Sequence, residues 1–240
     1  VLDEGETRRG VDTARKVFGN SASILGGDHL LVSALQRVQR SGTPELLGAL
    51  LHTISSMVHS EAIQLAQRGQ FEPNAESYNS VVSGKTAELF RWSMEAGARL
   101  GGLNGDQVRS LALFGHNLGM AFQLIDDTLD LASDTKTMGK DSLRDLKEGK
   151  MTWPLILACQ ADPLLENLLN ASLHNPSYME DSERVSNLLE RILATGCVEK
   201  TRQRARDYAH EALELLNPFP NSPAKEALST LLDGAVARLS

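Results

Sequence analysis

Along this chain the hydrophobic positions recur at steps of three and four, and no segment alternates convincingly between apolar and polar. The clearest segment is residues 106–132. On a helix turning about 100° per residue, Val108, Leu111, Phe114, Leu118, Phe122, Ile125 and Leu129 form one stripe. Leu113, Met120, Leu124 and Leu131 cover much of the remaining surface. A helix apolar on most sides is buried. One strip is polar: His116, Gly119, Gln123, Asp126, Asp127 and Asp130. The carboxylates are therefore expected to line an interior space, with His116 as a satisfied core histidine.

The same reading predicts helices elsewhere. One covers residues 21–38. Thr43-Pro44-Glu45 supplies a cap, a proline and an acid for a helix running to Gln67. Residues 76–100 form another, closed by Gly101-Gly102. Residues 133–151 read as a glycine-interrupted loop with a short helical piece. Further helices span 154–159, 182–195 and 198–216, the last stopped by Pro218 and Pro220, and a final one starts after Ser222-Pro223. The expected fold is all-α, a multi-helix bundle in one domain over residues 1–240.

Composition narrows the function. A chain that is 41% hydrophobic with only 5% aromatic residues suits packed helices. A net charge of −7 does not suit a broad nucleic-acid-binding surface. Cys159 and Cys197 make neither a disulfide framework nor a four-ligand zinc site, which points to a reducing compartment such as the cytoplasm. No signal peptide is evident. The uncharged run 110–125 is too short for a transmembrane segment and ends in carboxylates.

Asp126, Asp127 and Asp130 are neighbours on a helix at i, i+3 and i+4 spacing, and they repel. Burying them without partners costs several kcal/mol or forces protonation. A hard divalent cation resolves this, because Mg²⁺ takes carboxylate, water and phosphate oxygens. A solvated acidic helix end or an ion-paired cluster is the bland alternative. Cations that could meet a phosphate occur in three places: Arg8-Arg9-Gly10, Lys85-Thr86 within an apolar helix, and Lys140 and Lys150 in the loop after the aspartates. Each is weak alone; together they describe a cavity holding divalent cations and a diphosphate.

In this order and spacing the motifs resemble the trans-type (all-E) polyprenyl diphosphate synthase family. FQLIDDTLD matches the family's second motif, FQxxDDxxD, and GKDSLRDLKEGKMTWP its GK…DL…GK-T-P pattern. GKTAELF carries the KT pair, Arg8-Arg9-Gly10 the RRG, Asp28 in GNSASILGGDHLL the usual acid, and EAIQ the Glu61 and Gln64 pair. The resemblance implies the isoprenoid-synthase fold, helices around a deep central cavity, with Mg²⁺ as cofactor. It places metal at Asp126, Asp127 and Asp130 with Gln123 beside them, and at Asp3 on the facing wall. Arg8, Lys85, Thr86 and Lys140 would hold the allylic diphosphate, and Arg9 the isopentenyl diphosphate, in a homodimer. Asp3 would be the last aspartate of a DDxxD whose first pair precedes Val1, so an upstream part with its helices is expected. The motif spacing looks more like that of long-chain synthases. Three alternatives stand beside this reading: a class I terpene cyclase, which usually lacks the RRG and the GK…GK loop; a non-catalytic subunit of a heteromeric prenyltransferase, which tends to lose motif aspartates; and a plain helical scaffold with surface acids.

Overall fold

The computed structural model describes residues 5–8, 10–132, 143–175, 178 and 181–237. Packing divides the chain into two compact units, Val1–His52 and Thr53–Ser240, with the division inside a helix.

The first unit opens with a short antiparallel pair, β1 (Thr7–Arg8) and β2 (Val11–Asp12), in the register Thr7 with Asp12 and Arg8 with Val11. These four residues correct the expectation of a strandless chain. Gly10 adopts φ +76°, a left-handed conformation that glycine takes without strain. Thr13 fastens the start of the next helix to the residues ahead of β1: its hydroxyl donates to the Gly5 carbonyl at 2.8 Å and its N–H to the Glu6 carbonyl at 2.9 Å. α1 (Ala14–Gln39) is longer than expected and breaks at Gly19 (φ 82°, ψ 169°), just ahead of residue 21. None of its described residues is buried, although it carries Val17, Phe18, Ile24, Leu25 and Leu30. α2 (Pro44–Gln67) begins at the proline, with the Leu46 N–H bonded to the Thr43 carbonyl at 3.1 Å, and ends at Gln67 as its pattern predicts.

Among the described residues of the second unit, all regular elements are helices. α3 (Ala75–Val82) is capped by Asn74, whose side chain accepts from the Ser77 N–H. The single helix expected over residues 76–100 is interrupted. Ser83–Ala87 forms a π turn before α4 (Glu88–Leu100), and such turns insert one extra residue and re-aim the side chains they carry. α5 (Gly105–Ala132) matches its prediction closely. After it come α6 (Arg144–Lys147), α7 (Trp153–Ala161), α8 (Leu164–His174), α9 (Ser182–Ala194), α10 (Cys197–Glu214) and α11 (Pro223–Val236). α8 is additional to the helices that the pattern predicts. Its signal is Pro163 ahead of Leu165 and Leu169, an i, i+4 pair with no exposed surface.

α5 is the axis of this unit and packs against α4, α10, α11 and the π turn. Val108, Leu111, Phe114, Leu118 and Ile125 are buried as the stripe requires, while Leu113, expected inside, is exposed. Contact between α4 and α5 depends on small residues. A Cβ on Gly115 would lie 2.5 Å from the Phe90 carbonyl oxygen, and one on Gly119 would lie 2.6 Å from the Ala87 Cα. Gly119 therefore belongs to a helix contact and not to a polar strip. Gly97 on α4 has open space where its Cβ would stand.

These two situations give opposite expectations for one substitution. Gly115→Ala should lower the unfolding free energy by about 1–3 kcal/mol, because backbone atoms must move apart. Gly97→Ala should raise it by up to about 1 kcal/mol, because a helix interior loses less entropy with alanine. Urea unfolding of both variants checks this, and equal effects would contradict the close approach.

Candidate active site

The aspartate motif occupies the last turns of α5. Successive residues of a helix point about 100° apart, so the motif does not present one acidic face. Asp126 is exposed, Asp127 is 4% exposed and Asp130 is half-buried. This corrects the expectation of three carboxylates buried together.

Asp127 turns toward α3 and α7. Its Oδ2 accepts the Tyr78 hydroxyl at 2.6 Å and the Trp153 N–H at 3.3 Å, and its Oδ1 accepts the Gln123 side-chain amide at 2.9 Å. Three hydrogen-bond donors accompany this buried carboxylate, partners that the sequence reading did not foresee. Burial pushes its carboxyl up to about 7, against the lowering effect of the bonds from Tyr78 and Gln123. Burial and the neighbouring Asp127 raise the Tyr78 hydroxyl well above its ordinary value, so the phenol stays protonated and donates.

Asp130 faces the loop. Its two oxygens accept the N–H groups of Arg144 and Asp145 at 2.9 and 3.0 Å, so it caps the start of α6. Burial and the charge of Asp145 raise its carboxyl. Asp145, not singled out in the sequence, thus stands among the motif carboxylates. It lies within the GK…DL…GK pattern, which is the signal that could have found it.

Lys85 and Thr86 ride on the π turn. The Lys85 ammonium lies 2.6 Å from the Glu61 carboxylate and donates to the Gln64 side-chain oxygen at 2.6 Å. The Thr86 hydroxyl donates to Gln123 Oε1 at 3.0 Å. GKT and FQxxDDxxD, far apart in sequence, are therefore joined by one hydrogen bond. Gly84 allows the π turn close to α2, since a Cβ there would lie 3.2 Å from the Ser56 carbonyl oxygen.

Lys150, expected at a diphosphate, is ion-paired with acids. Its ammonium lies 2.6 Å from Glu148 and 3.5 Å from Asp145. Glu148 also pairs with Arg68 at 2.8 Å and Arg144 at 2.6 Å. Partial burial would raise the Glu148 carboxyl, but the bonds from Lys150 and Arg144 win and hold it at about 2. Beside it, the Gly69 N–H bonds to the Gly149 carbonyl at 3.1 Å, and a Cβ on Gly149 would stand 2.7 Å from the Gly69 nitrogen. This clamp fixes the end of the loop to the end of α2.

His116 lies 4.0 Å from the Glu88 carboxylate, and burial lowers its imidazole despite Glu88. Asp3, Arg9 and Lys140 lie outside the described residues, as does the side chain of Arg8.

A divalent cation needs accessible oxygens. Asp126 offers an exposed carboxylate, and each Asp130 oxygen accepts a single N–H, leaving a second lone pair. These two fit an ion. Asp127 does not, with Oδ2 already accepting twice and the group almost fully buried. Among the described residues no cluster of three His, Cys, Asp or Glu is arranged to hold a metal.

The sequence and fold are shared with known proteins. A family model described as polyprenyl synthetase matches residues 1–192. Octaprenyl diphosphate synthase of Escherichia coli is 35% identical over 239 residues, covering 99% of this chain and 73% of its own length. The crystal structure of a decaprenyl diphosphate synthase from Rhodobacter capsulatus superposes with a TM-score of 0.91 at 29% identity, covering 100% of this chain and 73% of that one. A polyprenyl synthase from Caulobacter crescentus, complexed with calcium and isoprenyl diphosphate, gives a TM-score of 0.89 at 32% identity, covering 100% and 73%.

The Glu148 clamp has a pH signature. A carboxyl held below its ordinary 4.5 contributes stability above that value and loses it as pH falls toward about 2. Glu148→Gln should reduce the unfolding free energy at pH 7 by about 1–3 kcal/mol. The gap from wild type should close as pH falls through 4.5 toward 2, as read by urea titrations at stepped pH.

Proposed function

The chain belongs to the polyprenyl synthetase family and is a trans-prenyltransferase, a polyprenyl diphosphate synthase; we propose that Mg²⁺ is its ion and that its residues divide the work of binding and ionisation among them. The observation that carries the assignment is the Thr86–Gln123 bond, which joins the lysine-threonine pair to the aspartate motif at one place.

The substrates are an allylic diphosphate and isopentenyl diphosphate. Lys85 supplies positive charge to the allylic diphosphate, kept in place by Glu61 and Gln64. Arg8 and Lys140 join it, and Arg9 receives the isopentenyl diphosphate. Asp126 and Asp130 would hold the ion, and by the family's motif Asp3 would be a further ligand. When bound, Mg²⁺ neutralises charge that develops on the departing diphosphate. Stabilising that charge lets the allylic C–O bond ionise. The isopentenyl double bond attacks the resulting cation, a proton leaves to the departed diphosphate, and the chain grows by one isoprene unit. The apolar surroundings of α5 keep out water that would quench the cation.

Lys150 has a different task in this scheme: with Glu148 it anchors the loop. A homodimer is part of the proposal, supported by the exposed apolar side chains of α1. A reducing cytoplasm is too, supported by the free buried thiols of Cys159 and Cys197. Among the described residues no helix is long and apolar enough to cross a membrane. Relatives named for octaprenyl and hexaprenyl products support a long chain.

Incubating the protein with farnesyl diphosphate, labelled isopentenyl diphosphate and Mg²⁺ should yield labelled polyprenyl diphosphate, whose length chromatography reads. Asp126→Ala should cut turnover about 10²–10³-fold with an unchanged melting curve. Absence of product from wild type, or full turnover in the variant, would sink the assignment.

A further inference from the structure

Three aspartates share one motif, yet the middle one is bonded into the core. We propose that Tyr78 and Asp127 act on the reaction as positioning residues, orienting Gln123 and through it Thr86, and that Asp127 is not a metal ligand. The inference rests on the prenyltransferase reading and refines it.

The chain of bonds has a direction. Tyr78 sits on α3 with its ring 5.3 Å from that of Trp153, and its hydroxyl donates to Asp127 Oδ2. The Trp153 backbone N–H donates to the same oxygen. Trp153 is itself covered by the Arg204 guanidinium, 3.7 Å from the ring centroid, and Arg204 donates to Asn79 at 3.1 Å. α3, α7 and α10 thus form a rigid back wall behind Asp127.

From that wall Asp127 reaches forward. A carboxylate accepts, so the Gln123 group facing Oδ1 is its amino group. The Gln123 carbonyl oxygen is thereby turned to Thr86 and accepts its hydroxyl proton. The Thr86 hydroxyl is thereby held in one orientation by Gln123. Without Asp127 the Gln123 amide could turn over, and Thr86 would lose its fixed orientation. Tyr78 and Asp127 reach the site only through Gln123, so the cost of breaking the relay falls on turnover more than on substrate capture.

Coordination by Asp127 would require removing donors. Oδ2 accepts two hydrogen bonds and Oδ1 accepts one, at 4% exposure. Asp126 is exposed, and each Asp130 oxygen accepts a single N–H, so both are more open to a cation than Asp127.

The test uses the full chain and three variants, Tyr78→Phe, Asp127→Asn and Asp126→Asn. Metal binding is read without turnover, from the Mg²⁺ dependence of the thermal shift in the presence of inorganic diphosphate. Asp126→Asn should raise the half-saturating Mg²⁺ concentration about tenfold or more, and Asp127→Asn should leave it within about threefold. Tyr78→Phe removes one hydroxyl and keeps the ring contact with Trp153. It should lower kcat about 5–30-fold, with KM for both diphosphates and the Mg²⁺ midpoint within about threefold. A Mg²⁺ midpoint for Asp127→Asn that moves as far as that for Asp126→Asn would overturn the proposal, as would wild-type kcat in Tyr78→Phe. Tyr78→Phe decides the matter should Asp127→Asn fail to fold. A wild-type chain that makes no product would defeat the prenyltransferase reading instead, and the metal comparison between the two aspartate variants would still stand.

Discussion

A carboxylate in a protein core must be surrounded by donors, bound to a cation or kept protonated. At Asp127 three donors meet this need in part, since burial still lifts the carboxyl to about 7, and much of the second unit is arranged accordingly. The donors come from Tyr78 on α3, Gln123 on α5 itself and Trp153 at the start of α7. Three helices with no sequence adjacency are thereby held in one register. The apolar packing around them, Val82, Ala87, Met120, Leu124 and Ile156, supplies the bulk of the cohesion but little direction. Hydrophobic contact tolerates sliding, whereas a hydrogen-bonded acid does not.

The close approach of α4 to α5 has the opposite character. Gly115 and Gly119 bring backbones together by absence of side chain, and the π turn at Ser83–Ala87 fits the chain to that distance. The extra residue also sets what Lys85 and Thr86 face. Lys85 reaches back to Glu61 and Gln64 on α2, while Thr86 reaches across to α5. In a regular helix adjacent side chains diverge by about 100°, which is how neighbours in sequence come to serve two different walls.

Much of this was legible in the sequence because it is set by periodicity. α2 and α5 end where their patterns and caps say, and the buried stripe of α5 is largely the one expected. What was not legible depends on tertiary partners. The break at Gly19 lies ahead of the periodic run, and the one-residue phase shift of the π turn is too brief to stand out in the spacing. Tyr78 reads as another core aromatic on α3, and nothing in its neighbours marks its hydroxyl as the partner of an aspartate 49 residues away. Lys150 illustrates a different limit. A lysine directly after a glycine in a loop looks available to an anion, and only the structure shows its ion pairs with Glu148 and Asp145.

The same reasoning explains why one motif can contain unlike aspartates. A repeat such as DDxxD fixes residue type and spacing, but the helix fixes direction, and direction decides environment. Asp126 projects to solvent, where a cation can reach it. Asp130 lies at the helix end, where it organises the backbone of the adjoining loop through Arg144 and Asp145. Asp127 projects inward, where its charge is stabilised by donors and its function is geometric. Motif identity therefore assigns the family, while burial and hydrogen bonding assign the task of each member. An acid that already accepts three hydrogen bonds in the core has little left to offer an ion and much to offer the residues it orients.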